Sequence, residues 1–427
     1  MTTKMMTVES GPTVEVTPRA QRGMAPVIIL NMFYSGVGIA RDLKGRGMRV
    51  LGLSAHSDIF GNWTRLCEVR RSPNSLEQGE QLFDFLLTLA DEFRDAVIFP
   101  TRDADVFFLD HYREELSRHF RLAIPERDVL FRVTRKNDLV AAAIRTGVPV
   151  PRTLVVRAAA DLTRVPAEVG FPCVVKPISA VEWRSGENWQ RVGGHKAFRC
   201  DNLEELQRHY QRVHVVSSEL LIQEMIPGPV EQIVIMGGYF GKDSTPLGYF
   251  TARKLVQSPD DFGTGCLVQS EPIAEIVEPT TRLCKMLGYQ GMAETEYKFD
   301  ARDGGYKLIE INTRHWDWHQ LGTHSDINLS WVAYCDLVGI PCEQEQKPIR
   351  VSKWIGEDVL FVHALSSLFH REQRIPRLWI KLSGPRTYGI FAWNDPVPFC
   401  RYAMAVILPS LVKGLVQKFR KTGVSQP

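Results

Sequence analysis

The stretch Glu294–Arg314 reads Glu-Thr-Glu-Tyr-Lys-Phe-Asp-Ala-Arg-Asp-Gly-Gly-Tyr-Lys-Leu-Ile-Glu-Ile-Asn-Thr-Arg. Two runs rich in aromatic and β-branched residues flank Asp303-Gly304-Gly305. This pattern predicts two antiparallel strands joined by a tight turn. Because side chains alternate between the two faces of a strand, we expect Glu294, Glu296 and Lys298 to share one face.

A hairpin that folds symmetrically about Asp303 brings Glu296 directly opposite Glu310. Two facing carboxylates repel each other, and one of them holds a proton unless a cation lies between them. Alternation places Leu308 and Asn312 on the same face as Glu310. Asn312 then adds an amide oxygen, and ligands that are all oxygen favour a hard ion such as Mg²⁺. The alternative is a solvated acidic face that binds no metal.

Composition limits the protein class. The chain has 427 residues, enough for two or three domains. A formal charge of +3 and the lack of an arginine-rich block with interleaved aromatics argue against a nucleic-acid partner. Eight cysteines form no CxxC pair, which suits a reducing cytoplasm. The first residues lack the apolar core of a signal peptide, and no run reaches the ~18 apolar residues of a spanning helix. We expect a cytoplasmic protein.

The first part of the chain alternates strands and helices. Residues 1–25 show no periodicity and are expected to be a disordered tail. We predict strands at 26–31, 49–53 and 96–100, with a long helix at 76–93 before the third. This alternation predicts an open parallel α/β domain over residues 26–130.

Two short motifs in this domain leave alternatives open. The turn Gly36-x-Gly38 is a fragment of a dinucleotide fingerprint, but it lacks the third glycine and the acidic residue that ends the second strand. A tight strand-to-helix turn is the other interpretation. Thr101–Asp105 follows a strand end, so it is either a substrate contact or a helix cap.

The rest of the chain carries further local signals. Lys176 ends an apolar strand run, which is unusual because lysine is seldom buried without a partner. Residues 178–196 are predicted to form a polar loop, and Asp326 is predicted to cap the next long helix. Residues 352–374 are predicted to form one helix.

Five of these signals occur in one order, and the series resembles the ATP-grasp superfamily. The series consists of Lys136, Val174-Val-Lys176-Pro177, Gln223-Glu224-Met-Ile-Pro-Gly228 with Glu231, Glu296, and Glu310-Ile-Asn312-Thr-Arg314. It is most similar to the carbamoyl-phosphate-synthetase-like branch and to predicted carboxylate–amine ligases, a group that also resembles D-aspartate ligase. The resemblance implies an ATP-grasp α+β fold of two lobes over residues 131–345. A mostly helical C-terminal extension over residues 346–427 follows it.

The resemblance implies a nucleotide site. Lys136 and Lys176 would hold the α- and β-phosphates, as compact charges that suit phosphate oxygens. Glu231 would accept hydrogen bonds from the ribose hydroxyls. The adenine would meet the backbone of a four-residue segment: Gln223, Glu224, Met225 and Ile226.

It also implies a catalytic site for ATP and Mg²⁺, with Mn²⁺ as a possible substitute. Glu296, Glu310 and Asn312 would bind the metal, with Glu310 bridging two ions. Arg314 would stabilise charge on the γ-phosphate or on an acylphosphate. The neighbouring cations Arg253 and Lys254 are candidates for the same charge.

The implied reaction is attack of a small carboxylate on the γ-phosphate, followed by displacement of phosphate by an amine. An ATP-binding regulatory or scaffold protein without turnover is the alternative. Two departures from the family pattern bear on the site. Residues 179–194 contain two tryptophans and few glycines where relatives have a glycine-rich flap. His315 and His319, with His324 nearby, follow Arg314 and allow a zinc site, an aromatic substrate pocket with one histidine, or ordinary packing.

The last segment, residues 399–419, mixes an apolar run with basic residues. Such a segment is typical of peripheral membrane contact. Packing on the domain or on a second subunit of a homodimer is the interpretation that we favour.

Overall fold

The computed structural model describes residues 24–184, 186–342, 346–369 and 381–409. The first sheet is parallel, with strand order β3-β2-β1-β4-β5. Its strands are β1 (Val27–Leu30), β2 (Val50–Ser54), β3 (Glu68–Arg71), β4 (Val97–Phe99) and β5 (Arg121–Leu122). The predicted parallel α/β arrangement is therefore present.

Helices cover both faces of this sheet, which is why its central strands are apolar throughout. The helices are α1 (Tyr34–Leu43), α2 (Gly79–Thr88), α3 (Asp103–His111), α4 (Arg113–Leu116) and α5 (Arg127–Thr134). β1 pairs with both β2 and β4. From β2 the chain continues outward to β3, and from β4 it continues outward to β5 on the opposite side of β1. A crevice therefore opens at the carboxyl ends of these strands. Both α1 and α3 begin at that crevice.

A second, four-stranded antiparallel sheet forms a small lobe with strand order β6-β9-β7-β8. Its strands are β6 (Thr153–Val156), β7 (Cys173–Pro177), β8 (Phe198–Cys200) and β9 (Leu220–Glu224). The helices of this part are α6 (Lys136–Arg145), α7 (Val165–Glu168), α8 (Ala180–Arg184), α9 (Gly186–Arg191) and α10 (Leu203–Val213). The predicted polar loop at 178–196 is thus wrong, because α8 and α9 occupy most of it.

The third sheet has seven strands in the order β14-β13-β10-β11-β12-β15-β16. Its strands are β10 (Ile233–Phe240), β11 (Pro246–Ser258), β12 (Thr264–Ser270), β13 (Gly291–Asp300), β14 (Gly305–Asn312), β15 (Lys353–Ile355) and β16 (Arg386–Tyr388). The accompanying helices are α11 (Val277–Leu287), α12 (Gln320–Thr323), α13 (Leu329–Val338), α14 (Glu357–Phe369) and α15 (Val397–Tyr402). The C-terminal extension therefore contributes two strands to this sheet.

The acidic hairpin is made of β13 and β14. Glu296 pairs with Glu310, and Glu294 pairs with Asn312. Both pairs agree with a hairpin folded symmetrically about Asp303. The facing carboxylates that the sequence predicts are present.

A bulge in β14 makes the predicted position of Leu308 wrong. The register shifts after Glu310, so that Leu308 pairs with Tyr297 and Ile309 is the additional residue. An extra residue reverses the alternation of faces. Leu308 is therefore buried in the apolar core, and it does not share the face of Glu310 and Asn312 as predicted.

Two other local predictions are wrong. Asn328, not Asp326, caps α13, since its side chain accepts a hydrogen bond from the Trp331 amide at 2.9 Å. The single helix predicted for 352–374 starts as strand β15 and becomes helical only at Glu357. A short apolar run before a helix has the same pattern whether it is helical or extended, so the sequence does not show that this run pairs with the edge of a sheet.

The chain ends fall partly outside the described residues. Residues 1–23 of the predicted tail are outside, whereas Met24 and Ala25 pack against the core. Of the segment 399–419, residues 410–419 are outside, and Phe399 and Tyr402 pack against the core. No helix in the described part of the chain is both long enough and apolar enough to cross a bilayer.

Candidate active site

One cavity of about 680 Å³ lies where the three sheets meet. This volume is in the range of small-molecule sites. The first domain contributes the start of α3, the small lobe contributes β7, β9, α8 and the residues before β8, and the large sheet contributes β11 and the acidic hairpin. The ionisable side chains that line it include Asp103, Lys136, Lys176, Arg184, Lys196, Lys254, Glu294, Glu296, Glu310, Arg314 and Asp317.

Glu310 is the charge centre of this cavity. Burial acts to raise the pKa of its carboxyl group, but the charges of Lys136, Lys176 and Lys254 outweigh burial and hold the pKa below its ordinary value. Its partner Glu296 accepts a hydrogen bond from Lys254 at 2.5 Å. Lysines thus relieve the repulsion between the two carboxylates in this structure.

Glu294 lies beside this pair in a different protonation state. Burial raises the pKa of Glu294 to about 8, although the charge of Lys254 opposes the shift. The Asn312 side-chain amide donates to Glu294 at 3.0 Å and to Glu310 at 3.4 Å. The hairpin therefore presents a protonated Glu294 near neutral pH, next to the ionised Glu310.

The substitution Glu294→Gln should change how stability depends on pH. The folded-state pKa of Glu294 lies above its unfolded value, so wild-type stability falls as pH rises from about 4.5 to about 8. Glutamine mimics the protonated acid and cannot ionise. We expect the free energy of unfolding of the variant, relative to wild type, to increase between pH 5 and pH 8. Urea denaturation at both pH values measures this. An identical difference at the two pH values would contradict a protonated Glu294.

The donor set fits a hard divalent cation. No group of three or more histidine, cysteine, aspartate or glutamate side chains in the described ranges is arranged to hold a metal ion. Mg²⁺ does not need such a group, because it commonly binds through one or two carboxylates and substrate phosphates. Glu296, Glu310 and the amide oxygen of Asn312 line one cavity and meet that requirement.

Two lysines lie next to the carboxylates, and of these Lys176 is buried and Lys136 is half-buried. Burial lowers the pKa of Lys176 to about 7, and the charge of Lys136 adds to the effect. Burial also lowers the pKa of Lys136. The Lys176 ammonium donates to the Gln223 side-chain oxygen at 2.7 Å. The charge of Glu310 partly offsets these shifts, and a further anion bound beside the two lysines would offset them more.

The segment predicted to face adenine lines the same cavity, namely Gln223, Glu224, Met225 and Ile226. The Glu224 carboxylate pairs with Arg152 at 3.1 Å and with Arg302 at 2.6 Å. Against the effect of burial, these arginines hold the pKa of Glu224 at about 2. The Glu224 and Met225 amides donate to the carbonyls of Arg152 and Pro172. Recognition of a purine by this segment therefore cannot use these two amides.

Two of the predicted site residues lie outside the cavity. Glu231 pairs with Lys381 of the C-terminal extension at 2.5 Å, and it does not line the cavity. Arg253 pairs with Glu271 at 2.6 Å and is likewise absent from the lining. Arg253 and Lys254 are neighbours on β11, so they point to opposite faces and only Lys254 faces the carboxylates. The structure thus does not bring Glu231 and Arg253 together with the other predicted site residues in this cavity.

Arg314 is held by a residue of the first domain. Asp103 accepts a hydrogen bond from Arg314 at 2.7 Å and another from Arg184 of the small lobe at 2.8 Å. Although burial opposes it, these two charges hold the pKa of Asp103 at about 2. Asp105 caps α3, since it accepts hydrogen bonds from the Thr101 and Arg102 amides. Within Thr101–Asp105, Asp105 thus caps the helix and Asp103 lines the cavity.

Sequence reasoning missed several ionisable side chains of the cavity, and three of them lie close to the predicted site residues in the sequence or in the flap. Arg184 and Lys196 lie in the segment that was interpreted as a polar loop, and Asp317 lies among the histidines. Asp317 accepts a hydrogen bond from Ser35 at 3.2 Å. The signal that could have indicated them was a charged residue next to a tryptophan in the predicted flap. The direction in which such a side chain points depends on the helices that form there.

The histidines are part of the core. His315 and His319 are each 1 % exposed and do not line the cavity. His315 contacts Ser330 at 3.1 Å, and His319 contacts the Trp316 carbonyl at 2.8 Å. Burial lowers the pKa of His315. Of the three interpretations, packing fits best. The tryptophans 316 and 318 do line the cavity, but no histidine accompanies them.

Gly36 and Gly38 lie inside α1 and not in the predicted strand-to-helix turn, and both serve packing. A Cβ atom at Gly36 would lie 2.2 Å from the Asn31 carbonyl oxygen, and one at Gly38 would lie 2.5 Å from the His319 ring. Neither glycine lines the cavity. Close approach of α1 to its neighbours therefore accounts for both glycines.

Comparison with known proteins relates the chain to amino-acid ligases. It is 25 % identical over 234 residues to D-aspartate ligase of Enterococcus faecium (strain Aus0004), covering 53 % of this chain and 54 % of that one. It is 28 % identical over 174 residues to D-alanine–D-alanine ligase of Ectopseudomonas mendocina (strain ymp), covering 39 % and 51 %. The chain thus spans about half the length of these curated relatives. No protein-family model matches the chain.

The fold is also found among solved structures. N5-carboxyaminoimidazole synthetase from Staphylococcus aureus, solved as a complex with ADP, superposes with a TM-score of 0.61. The two chains are 13 % identical, and the match covers 81 % of this chain and 86 % of the other. The predicted resemblance to ATP-grasp enzymes and the ATP-grasp fold class are confirmed.

Proposed function

We propose that this chain, which has the ATP-grasp fold, is an ADP-forming ligase that joins a carboxylate to an amine at the cavity between its sheets. One observation carries the proposal. One cavity is lined by lysines, by a carboxylate pair with an amide, and by an arginine, which several different elements contribute. These are the groups that phosphate transfer requires: cations for the phosphates, oxygen ligands for a metal, and a fixed cation for the developing charge.

The nucleotide would enter between the small lobe and the large sheet. Lys136 and Lys176 would bind its phosphates, and phosphate binding would return the lowered lysine pKa values toward the ordinary range. The segment from Gln223 to Ile226 would border the base. Charge complementarity between this nucleotide and these lysines is what supports this orientation.

The proposed metal ligands are Glu296, Glu310 and Asn312. Mg²⁺ bound there would neutralise phosphate charge during transfer, and Mn²⁺ is proposed as a substitute because it accepts the same oxygen ligands. Lys254, which pairs with Glu296 in this structure, would then be free to contact the transferred phosphoryl group.

The substrate carboxylate would lie near Arg314. One of its oxygens attacks the γ-phosphorus, the bond from that phosphorus to the β–γ bridging oxygen breaks, and ADP leaves. The amine then attacks the acyl carbon, loses a proton and expels phosphate, so that an amide forms. Arg314, fixed by Asp103, would stabilise the negative charge in both steps.

The substrates are proposed by class. The curated relatives are ligases of D-aspartate and of D-alanine, so small amino acids are the first candidates for both acid and amine. A role in making peptide, natural-product or surface-polymer precursors is consistent with such substrates. A cytoplasmic location and a homodimer belong to the same proposal.

Release of ADP and phosphate with pools of amino acids and small carboxylic acids tests this function. We expect ADP release that requires Mg²⁺, one acid and one amine, and that stops when the metal is chelated. Nucleotide binding without turnover across broad pools would instead favour a regulatory protein. Failure to bind ATP would refute the proposal.

A further inference from the structure

The flap over the proposed phosphate site differs from a glycine-rich loop in a way that changes which atoms face the cavity. Glycine-rich loops bind phosphate through backbone amides. Here residues 180–184 and 186–191 are helical. The Gly193 amide donates to the Gln190 carbonyl, and the Gly194 amide donates to the Trp189 carbonyl. These two glycines close the end of a helix and have no amide left for phosphate.

Their conformation agrees with that role. Gly193 and Gly194 have φ values of +68° and +73°, which is the left-handed conformation that ends helices. Neither they nor Gly186 line the cavity. The flap and the residues just after it present side chains to the cavity, among them the cations Arg184 and Lys196.

Lys196 lies at the mouth of the cavity without an acidic partner. Its ammonium contacts the Thr264 hydroxyl at 3.4 Å, and no carboxylate of the described residues forms an ion pair with it. The charges that act on it most are Arg184, Glu310, Lys254 and Asp317. Of these groups, Glu310 is a proposed metal ligand, and Arg184 shares the Asp103 carboxylate with Arg314, the arginine proposed to stabilise charge on the γ-phosphate.

Arg184 has a fixed position at the same end. Asp103 accepts its hydrogen bond at 2.8 Å and also holds Arg314. Arginine has five N–H donors, so the bond to Asp103 leaves others for a second anion. Lys196 can move, whereas Arg184 is anchored, and together they form a cationic edge on the small lobe.

We propose that Arg184 and Lys196 hold the γ-phosphate of ATP from the small-lobe side, in place of the backbone amides of a glycine-rich flap. The inference rests on the proposed function and adds to it a set of side-chain ligands for the terminal phosphate. Because both cations would contact the terminal phosphate alone, they make the site prefer a nucleoside triphosphate over the diphosphate.

Calorimetric titration with Mg²⁺ and either a non-hydrolysable ATP analogue or ADP tests the assignment. For Lys196→Met we expect affinity for the analogue to fall about tenfold, the effect of one charge-assisted hydrogen bond. Affinity for ADP should stay within about twofold of wild type, by the same reasoning. Lys196→Arg, which keeps the cation, should retain the preference for the analogue. Lys242→Met, at an exposed turn residue outside the cavity, is the matched control.

The outcomes separate the two claims. An equal loss of both ligands in Lys196→Met, or no loss of either, would overturn the assignment of Lys196 while leaving the ligase proposal intact. A wild-type protein that binds neither nucleotide would instead refute the proposed function, and the inference would fall with it. Arg184→Met should also weaken binding of the analogue more than binding of ADP.

Discussion

Replacing Glu310 by glutamine should lower magnesium-dependent ADP release by at least about a thousandfold, equivalent to some 4 kcal/mol of transition-state stabilisation. Glu310 is the carboxylate on which the lysine charges converge, and it lies opposite Glu296. Glutamine keeps the shape but removes the anion that a bridging metal ion needs. The measurement is ADP release with the substrates that the pool assay identifies, at saturating nucleotide.

The control for this variant is Asp303→Asn. Asp303 is an exposed carboxylate in the turn of the same hairpin and is paired with Lys307 outside the cavity. It should retain wild-type activity. Far-ultraviolet circular dichroism on both variants checks the fold, because loss of Glu310 leaves neighbouring lysines less compensated. A folded Glu310→Gln protein with more than a tenth of wild-type activity would contradict the assigned role.

Lys176→Met should have two opposite effects. Affinity for ADP with Mg²⁺ should fall about a hundredfold, since charge-assisted hydrogen bonds to phosphate are lost. The free energy of unfolding of the nucleotide-free protein should rise at pH 7 by a few kcal/mol, because methionine fills a site where a cation is buried. Gain in stability with loss of binding is typical of a residue retained for function.

The stability effect has a defined pH dependence. Burial places the pKa of Lys176 at about 7 in the folded state, below its unfolded value of 10.5. The unfolded chain therefore binds more protons between these values, and wild-type stability rises as pH increases from 7 toward 10. The advantage of Lys176→Met should shrink over the same range. Urea denaturation at pH 7 and pH 9.5 measures it.

Lys353→Met is the matched control. Lys353 is as buried as Lys176, at 9 % exposed, but it donates to the Ser383 carbonyl away from the cavity. Its replacement should leave nucleotide affinity unchanged. If Lys176→Met bound nucleotide with wild-type affinity, Lys176 would not be part of the phosphate site.

The acidic hairpin was predictable from sequence because its determinants are local. A turn signal at Asp303 fixes which residues face each other, and period-two alternation fixes their face. Five motifs that follow one another in a fixed order, from Lys136 to Arg314, then indicated the fold. Such motifs need no knowledge of distant packing.

Other parts of the site depend on contacts that the sequence does not display. The bulge at Ile309 buries Leu308, and nothing in an apolar strand run marks where an extra residue will fall. The direction of Arg184 depends on the helix that forms in the flap and on Asp103, 81 positions earlier. The pairing of Glu231 with Lys381 of the C-terminal extension is likewise not visible in the sequence.

The central claim is that the cavity activates a carboxylate by phosphorylating it, and oxygen transfer tests it most directly. The acid identified in the pool assay would be labelled with ¹⁸O in both carboxyl oxygens and turned over with ATP, Mg²⁺ and the amine. The account predicts that each phosphate released carries one ¹⁸O atom, because the attacking oxygen leaves with the phosphoryl group. Unlabelled phosphate, with both labelled oxygens still on the acid, would contradict it.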